Sequence, residues 1–364
     1  MSEHEVLVVE VEQVRKHENA DSLDVVKVSG YDYSIIVRRE SFSVGELGVF
    51  VEPDYVVPTD RAEFQHLFDG KPTKRITAKR LRGIWSEGLL FKANPEVHTL
   101  GMNVMEEYGI TRWEPTLKSS NNGFGAELLS GWCAKSPNIP GLHEVPKYDL
   151  ENFKKYSKIL EPDETVFYTT KIHGASARYV FSDGEMYCGS RTTWKLKPGS
   201  KLEYNNPRTG EVITKEAPDC TWWSALESNP WIEAWCRSHP NMVLYGEVFG
   251  PMVQGTPFHY GQKDGQVGFR VFDVLRDKAW VSFKELTANT SEFSELKLVP
   301  MLFHGKHNRA TLEELAEAKE TSIEGCGANH IREGVVIKPS EERWNERLGR
   351  VALKYVSNNY LTKS

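Results

Sequence analysis

The residues best suited to chemistry lie in the run Tyr168-Thr169-Thr170-Lys171-Ile172-His173-Gly174-Ala175-Ser176. A lysine ends an apolar strand and a glycine turn follows at once. That placement puts an amine at a strand end inside a cleft, where it could act as a nucleophile. A free lysine has a pKa near ~10.4, so roughly one in a few thousand is deprotonated at neutral pH. Nucleophilic work therefore needs neighbouring cations, a bound metal or desolvation to depress that value. Taken alone, the string is equally that of an exposed strand-end lysine.

Further polar residues follow in order. Cys188-Gly189-Ser190-Arg191-Thr192 supplies an arginine at the end of the next hairpin, and Leu244–Gly250 sets Glu247 among apolar residues and glycines. Phe269–Val274 offers an aromatic, Phe272, and then an acid, Asp273. Arg332-Glu333-Gly334-Val335-Val336-Ile337-Lys338 and Val351-Ala352-Leu353-Lys354-Tyr355 complete the set. Read singly, the acids could be surface strand carboxylates, Phe272 a core aromatic, and the two lysines solvated edge residues.

In this order and spacing, residues 171–354 resemble the covalent nucleotidyltransferases, the superfamily of ATP-dependent RNA and DNA ligases and mRNA capping enzymes. Their motifs are KxxG, a GE block, an aromatic block, EGxVxK and a final lysine block. The resemblance implies that Lys171 attacks the α-phosphorus of ATP, forming a lysyl-N-adenylate and expelling pyrophosphate. It implies that Glu247 binds the nucleoside sugar and, with Glu333, organises a divalent metal, Mg2+ or Mn2+. Phe272 would stack on adenine with Asp273 in support. Lys338 and Lys354 would meet phosphate oxygens, and Arg191 would contact the nucleotide and the nucleic-acid end. Metal and lysines would spread the charge of the phosphorus centre. One position departs from the pattern: relatives with KxK in the last block have a lysine where this chain has Ala352. Either another base, such as Lys147 or Lys155, takes its place, or phosphate is held more weakly. His173 occupies a position that is Asp in other RNA ligases.

Elements must carry these residues. Glu5–Val14 alternates, and Asp24–Val28, Tyr33–Val37, Gly48–Val51 and Leu89–Phe91 are short apolar runs between Gly, Asn, Asp and Ser. They predict a small β-barrel, with an OB fold favoured. Thr165–Thr170, Ala177–Phe181, Val243–Val248, Val267–Val274 and Gly334–Lys338 read as strands of a second unit. The tryptophans at 222, 223, 231 and 235 suit a helical face in a core, and Thr311 with Glu314 reads as a capping box opening a helix over 311–320. The fold class expected is α+β: an N-terminal OB-like barrel, then a nucleotidyltransferase domain of ATP-grasp-like antiparallel sheets with helices. The divisions expected are 1–100, a connecting segment at 101–145, and 146–364.

Composition bounds the partners. The chain has 364 residues, 39% hydrophobic and 26% charged, which excludes a mostly disordered chain and makes two domains the expectation. No apolar run reaches the length of a membrane span, and the acidic start reads as strand-like sequence, not a signal peptide. Five cysteines with no CxxC pairing suit reduced thiols in a cytoplasmic setting and make a zinc site unlikely. The net charge of −6 conceals an uneven distribution: residues 1–60 hold 13 acids against 5 bases. Residues 71–82 then carry Lys71, Lys74, Arg75, Lys79, Arg80 and Arg82 with no acid. A polyanion responds to such a patch and not to the total, although a solvated basic loop would read the same.

Only ten residues follow Lys354, so the OB domain that DNA ligases and capping enzymes carry after this block is not expected. The barrel comes first instead, and His17–Val28 resembles the opening of tRNA-binding OB modules. That order is similar to one clade of RNA ligases sealing 3′-OH and 5′-phosphate ends, implying a monomer acting on RNA, with duplex-held nicks as substrate. An RNA-binding adaptor that lost activity and a DNA or mixed-strand ligase are the alternatives. The basic stretch would grip the RNA backbone with low sequence specificity and strong salt dependence.

Overall fold

The computed structural model describes residues 5–113 and 145–361, apart from 206–209, 218, 252, 254–257, 264, 289 and 327–329. Most of the expected connecting segment, residues 114–144, lies outside the described residues, and so does Cys133. Among those described, four cysteines are free thiols, and no helix is long and apolar enough to cross a membrane.

The leading strands form one five-stranded sheet in the order Ile35–Arg38, Leu23–Val28, Leu7–Lys16, Leu47–Val51, Leu89–Lys92. Alternation in Leu7–Lys16 divides its side chains between two apolar clusters, one around Val8, Val49 and Val51 and the other around Val11, Val26 and Phe50. Val104, Tyr108 and Ile110 join the first cluster, and Thr111–Arg112 pairs with Tyr55–Pro58. Packing therefore carries the leading unit past residue 100. The basic stretch is not a loop. Thr73–Arg75 adds to Tyr55–Pro58, and Lys79–Leu81 forms a hairpin with Ile84–Ser86. Its two-residue turn, Arg82-Gly83, has positive φ at both positions (46° and 94°), the geometry that matches strand twist. His17 Nε2 contacts the Leu81 carbonyl and Asn19 donates to that of Arg82, so His17–Asn19 holds the hairpin down.

The second unit is built on two antiparallel sheets. One runs Glu151–Asn152, Leu353–Val356, Gly334–Pro339, Thr165–Lys171, Met301–Lys306, with only its first pair parallel. The other runs Trp194–Lys195, Glu185–Ser190, Ala175–Ser182, Val243–Phe249, Gly268–Arg276, Ala279–Trp280. The tryptophan segment is two helices, Thr221–Ser228 and Trp231–Ser238, broken at Asn229-Pro230, with Trp223 and Trp235 buried in the larger core. The later helix begins at Arg309 and not at Thr311, because the Asn308 side chain accepts from Thr311 N and is the actual N-cap.

Ion pairs join the units. Lys154 meets Glu87 at 2.5 Å and Lys155 meets Glu52 at 2.9 Å, all four side chains no more than 10% exposed, while Arg309 pairs with Asp32.

Candidate active site

Register brings the site together. In the central sheet Lys171 lies opposite Gly334, Thr169 opposite Val336, and Val336 opposite Lys354. The even-numbered side chains Val166 and Tyr168 enter a core with Val335, Ile337 and Leu353. The odd ones face the other way, because successive strand side chains alternate. A cleft opens there, lined by Tyr148, Thr169, Lys171, Glu247, Phe272 and Val336 among others.

Two glycines let the walls close. A Cβ at Gly174 would stand 2.1 Å from the Val248 carbonyl oxygen and 2.9 Å from Glu247 Cγ. One at Gly334 would stand 2.1 Å from the Tyr355 carbonyl oxygen. The first brings the lysine turn against the Glu247 strand. The second lets the strand that follows Glu333 lie against the last lysine strand.

Lys171 Nζ donates to Glu333 Oε1 at 2.5 Å. Burial pulls the amine's pKa down, but Glu333 and Glu247 outweigh burial and hold it above the ordinary lysine value. With the cleft as it stands, Lys171 is thus an ammonium. Glu247 shows the converse: burial, opposed by Lys171 and reinforced by Glu333, pushes its carboxyl up to about 8. Burial is the main cause, and the Lys171 charge offsets it only in part. A divalent cation between Glu247 and Glu333 would offset that cost of burial. Among the described residues no cluster of three or more metal-type donors exists. A cation held by Glu247 and Glu333 would complete its shell with water and substrate oxygens, as Mg2+ commonly does.

Lys354 lies beside this pair. Burial and then the Lys171 charge depress its pKa, and its ammonium hydrogen-bonds to none of the described residues. Lys338 is placed differently. It is 2% exposed, with Nζ 2.6 Å from both the Phe272 carbonyl oxygen and Asp273 Oδ2. Arg350 donates to both oxygens of the same Asp273, at 2.9 and 3.1 Å, and two further bonds of 2.7 Å tie it to Glu342. Phe272 lines the cleft with its ring centroid 4.5 Å from that of Tyr148. Arg191 pairs with Asp149 on the surface, both side chains more than half exposed, and does not line the cleft. Of the bases considered as substitutes at Ala352, Lys155 is committed to Glu52 and Lys147 is exposed.

Sequence reasoning missed Tyr148, Arg350 and Arg112. Arg350 sits two residues before Ala352 and could have been found by searching for any base near the missing lysine. Arg112 comes from the leading unit, and its charge is one of those felt by Lys354. Tyr148 carries no local signal.

A cleft floored by a strand-end lysine that is paired with one acid, and lined by a second acid and an aromatic, in paired antiparallel sheets behind an OB unit, defines the nucleotidyltransferase fold. The comparisons narrow that class. A family model described as RNA ligase matches residues 164–356, and one described as an OB-fold domain matches residues 6–93. The chain belongs to the RNA ligase family. No curated protein sequence matches it. Among solved structures it is similar to Naegleria gruberi RNA ligase with PPi, at TM-score 0.72 and 21% identity, covering 98% of both chains. A mutant of that ligase with ATP and Mn gives TM-score 0.71 at 21% identity, covering 99% of each chain. Another, with AMP and Mn, gives 0.70 at 20%, covering 99% of this chain and 98% of that one.

Proposed function

We propose that the protein is an ATP-dependent RNA ligase that joins a 3′-OH to a 5′-phosphate in three steps. Lys171 Nζ, having lost a proton, attacks the α-phosphorus of ATP; the phosphorus–nitrogen bond forms and pyrophosphate leaves with the electron pair of the broken anhydride. A 5′-phosphate oxygen of RNA then attacks the same phosphorus, freeing Lys171 and giving a 5′–5′ anhydride. Finally the 3′-OH attacks the RNA phosphate and expels AMP. Glu333, already hydrogen-bonded to Nζ, is in place to receive the first proton. A divalent cation at Glu247 and Glu333 would draw both carboxylates off the ammonium and lower its pKa.

In this reading Phe272 and Tyr148 hold the base, Lys354 meets phosphate oxygens, and Lys338 acts from behind through Asp273 and the Phe272 carbonyl. Arg191 would have to leave Asp149 to reach an RNA end. The division we propose is a leading OB unit that binds RNA and a catalytic unit over about residues 146–364. ATP and Mn in the Naegleria structures, and PPi in another, support the choice of nucleotide and metal.

The observation that carries the reading is the Lys171–Glu333 contact inside a cleft with Glu247. Wild-type protein should acquire label from α-labelled ATP and seal a nicked all-RNA duplex, and Lys171→Ala should do neither. Label persisting in the variant would sink the assignment. All-DNA and mixed-strand nicks in the same assay decide the strand requirement.

Within the basic stretch, Lys74 and Arg75 are tied to Asp69 and Asp54, and Arg75 also lies over the Trp113 ring. Lys79, Arg80 and Arg82 remain exposed with no acid partner among the described residues. Replacing these three by Ala should weaken sealing and lower its salt slope by roughly 2–3 while sparing Lys171 adenylation. Loss of both steps together would make the hairpin structural.

A further inference from the structure

The last described residues close on the lysine turn from behind. The Glu317 carboxylate accepts from Ser357 Oγ at 3.0 Å, Asn358 N at 2.6 Å and Asn359 N at 3.0 Å. This fixes the start of the short helix Asn358–Leu361. Ser357, fully buried, also donates its N–H to the Glu333 carbonyl at 2.8 Å. The helix delivers Tyr360, whose hydroxyl is hydrogen-bonded to His173 Nδ1. The same Nδ1 stands 3.9 Å from Glu333 Oε2, on the side of that carboxylate not held by Lys171. His173 Nε2 is buried and has no hydrogen-bond partner among the described residues, so Nδ1 makes the ring's one side-chain hydrogen bond there, beside its packing on Phe258 and Tyr360. The backbone N–H of His173 is tied to Tyr260 Oη at 2.7 Å.

We propose that Tyr360 is a positioning residue, latched through Glu317, that holds the His173 ring and thereby the Glu333 carboxylate in register with Lys171. The inference rests on the ligase reading of Lys171. It assigns a function to a residue beyond the RNA ligase family match, which ends at residue 356. Without the hydroxyl, the ring loses its one polar restraint and can turn toward or away from Glu333. The carboxylate then has two settings, of which one suits both the ammonium and a cation.

The test is the rate of Lys171 labelling from α-labelled ATP, measured across a magnesium chloride titration, for wild type, Tyr360→Phe and Glu317→Gln. Tyr360→Phe keeps the ring and its packing and deletes the hydrogen bond. The expected result is a half-saturating magnesium concentration raised about fivefold, the scale of one neutral hydrogen bond, with thermal unfolding unchanged. Glu317→Gln should shift it the same way by less. A purely structural role would instead lower the unfolding temperature and leave the magnesium requirement alone. Tyr360→Phe matching wild type across the titration, or losing stability with no magnesium shift, overturns the inference while the ligase reading stands. A wild type that takes no label overturns the ligase reading itself.

Discussion

Two lysine–carboxylate clusters share the catalytic unit, one sealed behind the cleft wall and one on its floor. Behind the wall, Lys338 and Arg350 meet Asp273 and Glu342, two cations against two carboxylates, with Lys338 and Asp273 almost wholly buried. On the floor, Lys171 faces both Glu333 and Glu247, and the ammonium of the depressed Lys354 hydrogen-bonds to none of the described residues. The sealed cluster is complete in itself. The open one has the same count, but the Lys354 ammonium hydrogen-bonds to none of the described residues and burial lifts the Glu247 carboxyl, which leaves both for a substrate and a cation to satisfy. Similar residue types thus serve stability in one place and chemistry in the other, and the difference lies in exposure and in how completely the charges are hydrogen-bonded.

The largest effect expected from breaking this contrast is at Glu333. Glu333→Gln keeps the shape of the open cluster, removes its charge and should slow Lys171 adenylation about a thousandfold, near 4 kcal/mol of barrier, measured by single-turnover labelling. A loss below tenfold would place Glu333 outside the chemistry.

The same acid-to-amide change behind the wall should act on stability. Asp273→Asn leaves Lys338 and Arg350 facing a neutral group, and about 3 kcal/mol should be lost in denaturant unfolding. Burial alone would raise the Asp273 carboxyl, but Arg350 and Lys338 outweigh it and hold its pKa below the ordinary value. Its contribution is therefore complete above about pH 4 and lost only as pH falls through the lower folded value. The gap between wild type and variant should be constant at neutral pH and shrink only in acid.

Glu247→Gln should do the opposite. Because burial lifts the Glu247 carboxyl to about 8, the wild type forfeits stability as pH rises from the unfolded value through the folded one. The amide imitates the protonated acid and is spared that loss. Between about pH 5 and 8 the variant should gain on wild type by up to about 1.4 kcal/mol per pH unit, while adenylation falls. Parallel pH profiles for the two proteins would show that burial does not lift the Glu247 carboxyl.

Much of the open cluster was legible in the sequence, and the reasons are physical. A strand-end lysine needs a glycine turn, and Gly174 and Gly334 are forced by backbone approaches that admit no Cβ. The leading strands were readable because one face is apolar and glycine, asparagine or aspartate marks their ends. The basic hairpin was not, because Lys79–Leu81 is exposed on both faces and shows no alternation. Nor was the inward aim of Lys338. All six residues of Gly334–Pro339 are buried, so the strand has no polar face to read, and its partner Asp273 lies 65 positions away. Tyr360 belongs to no motif; its meaning comes only from the helix that Glu317 fixes.

The smallest expected effect tests whether the sealed cluster depends on geometry as well as charge. Arg350 spans Asp273 and Glu342 with a planar fork, two bonds to each carboxylate. Its guanidinium also lies 4.4 Å from the Trp280 ring centroid. Arg350→Lys preserves the charge count and removes the fork, since an ammonium is a compact point charge that cannot serve both acids in one plane. If stoichiometry alone secures the cluster, unfolding should be unchanged. If the fork matters, about 1 kcal/mol should be lost, the net worth of a hydrogen bond in a folded protein. The second outcome is the one expected, because Asp273 is fully buried and a lysine cannot replace both Arg350 bonds to it while also holding Glu342. Adenylation should fall only a fewfold, since Arg350 touches the cleft solely through Asp273 and the strand that carries Phe272.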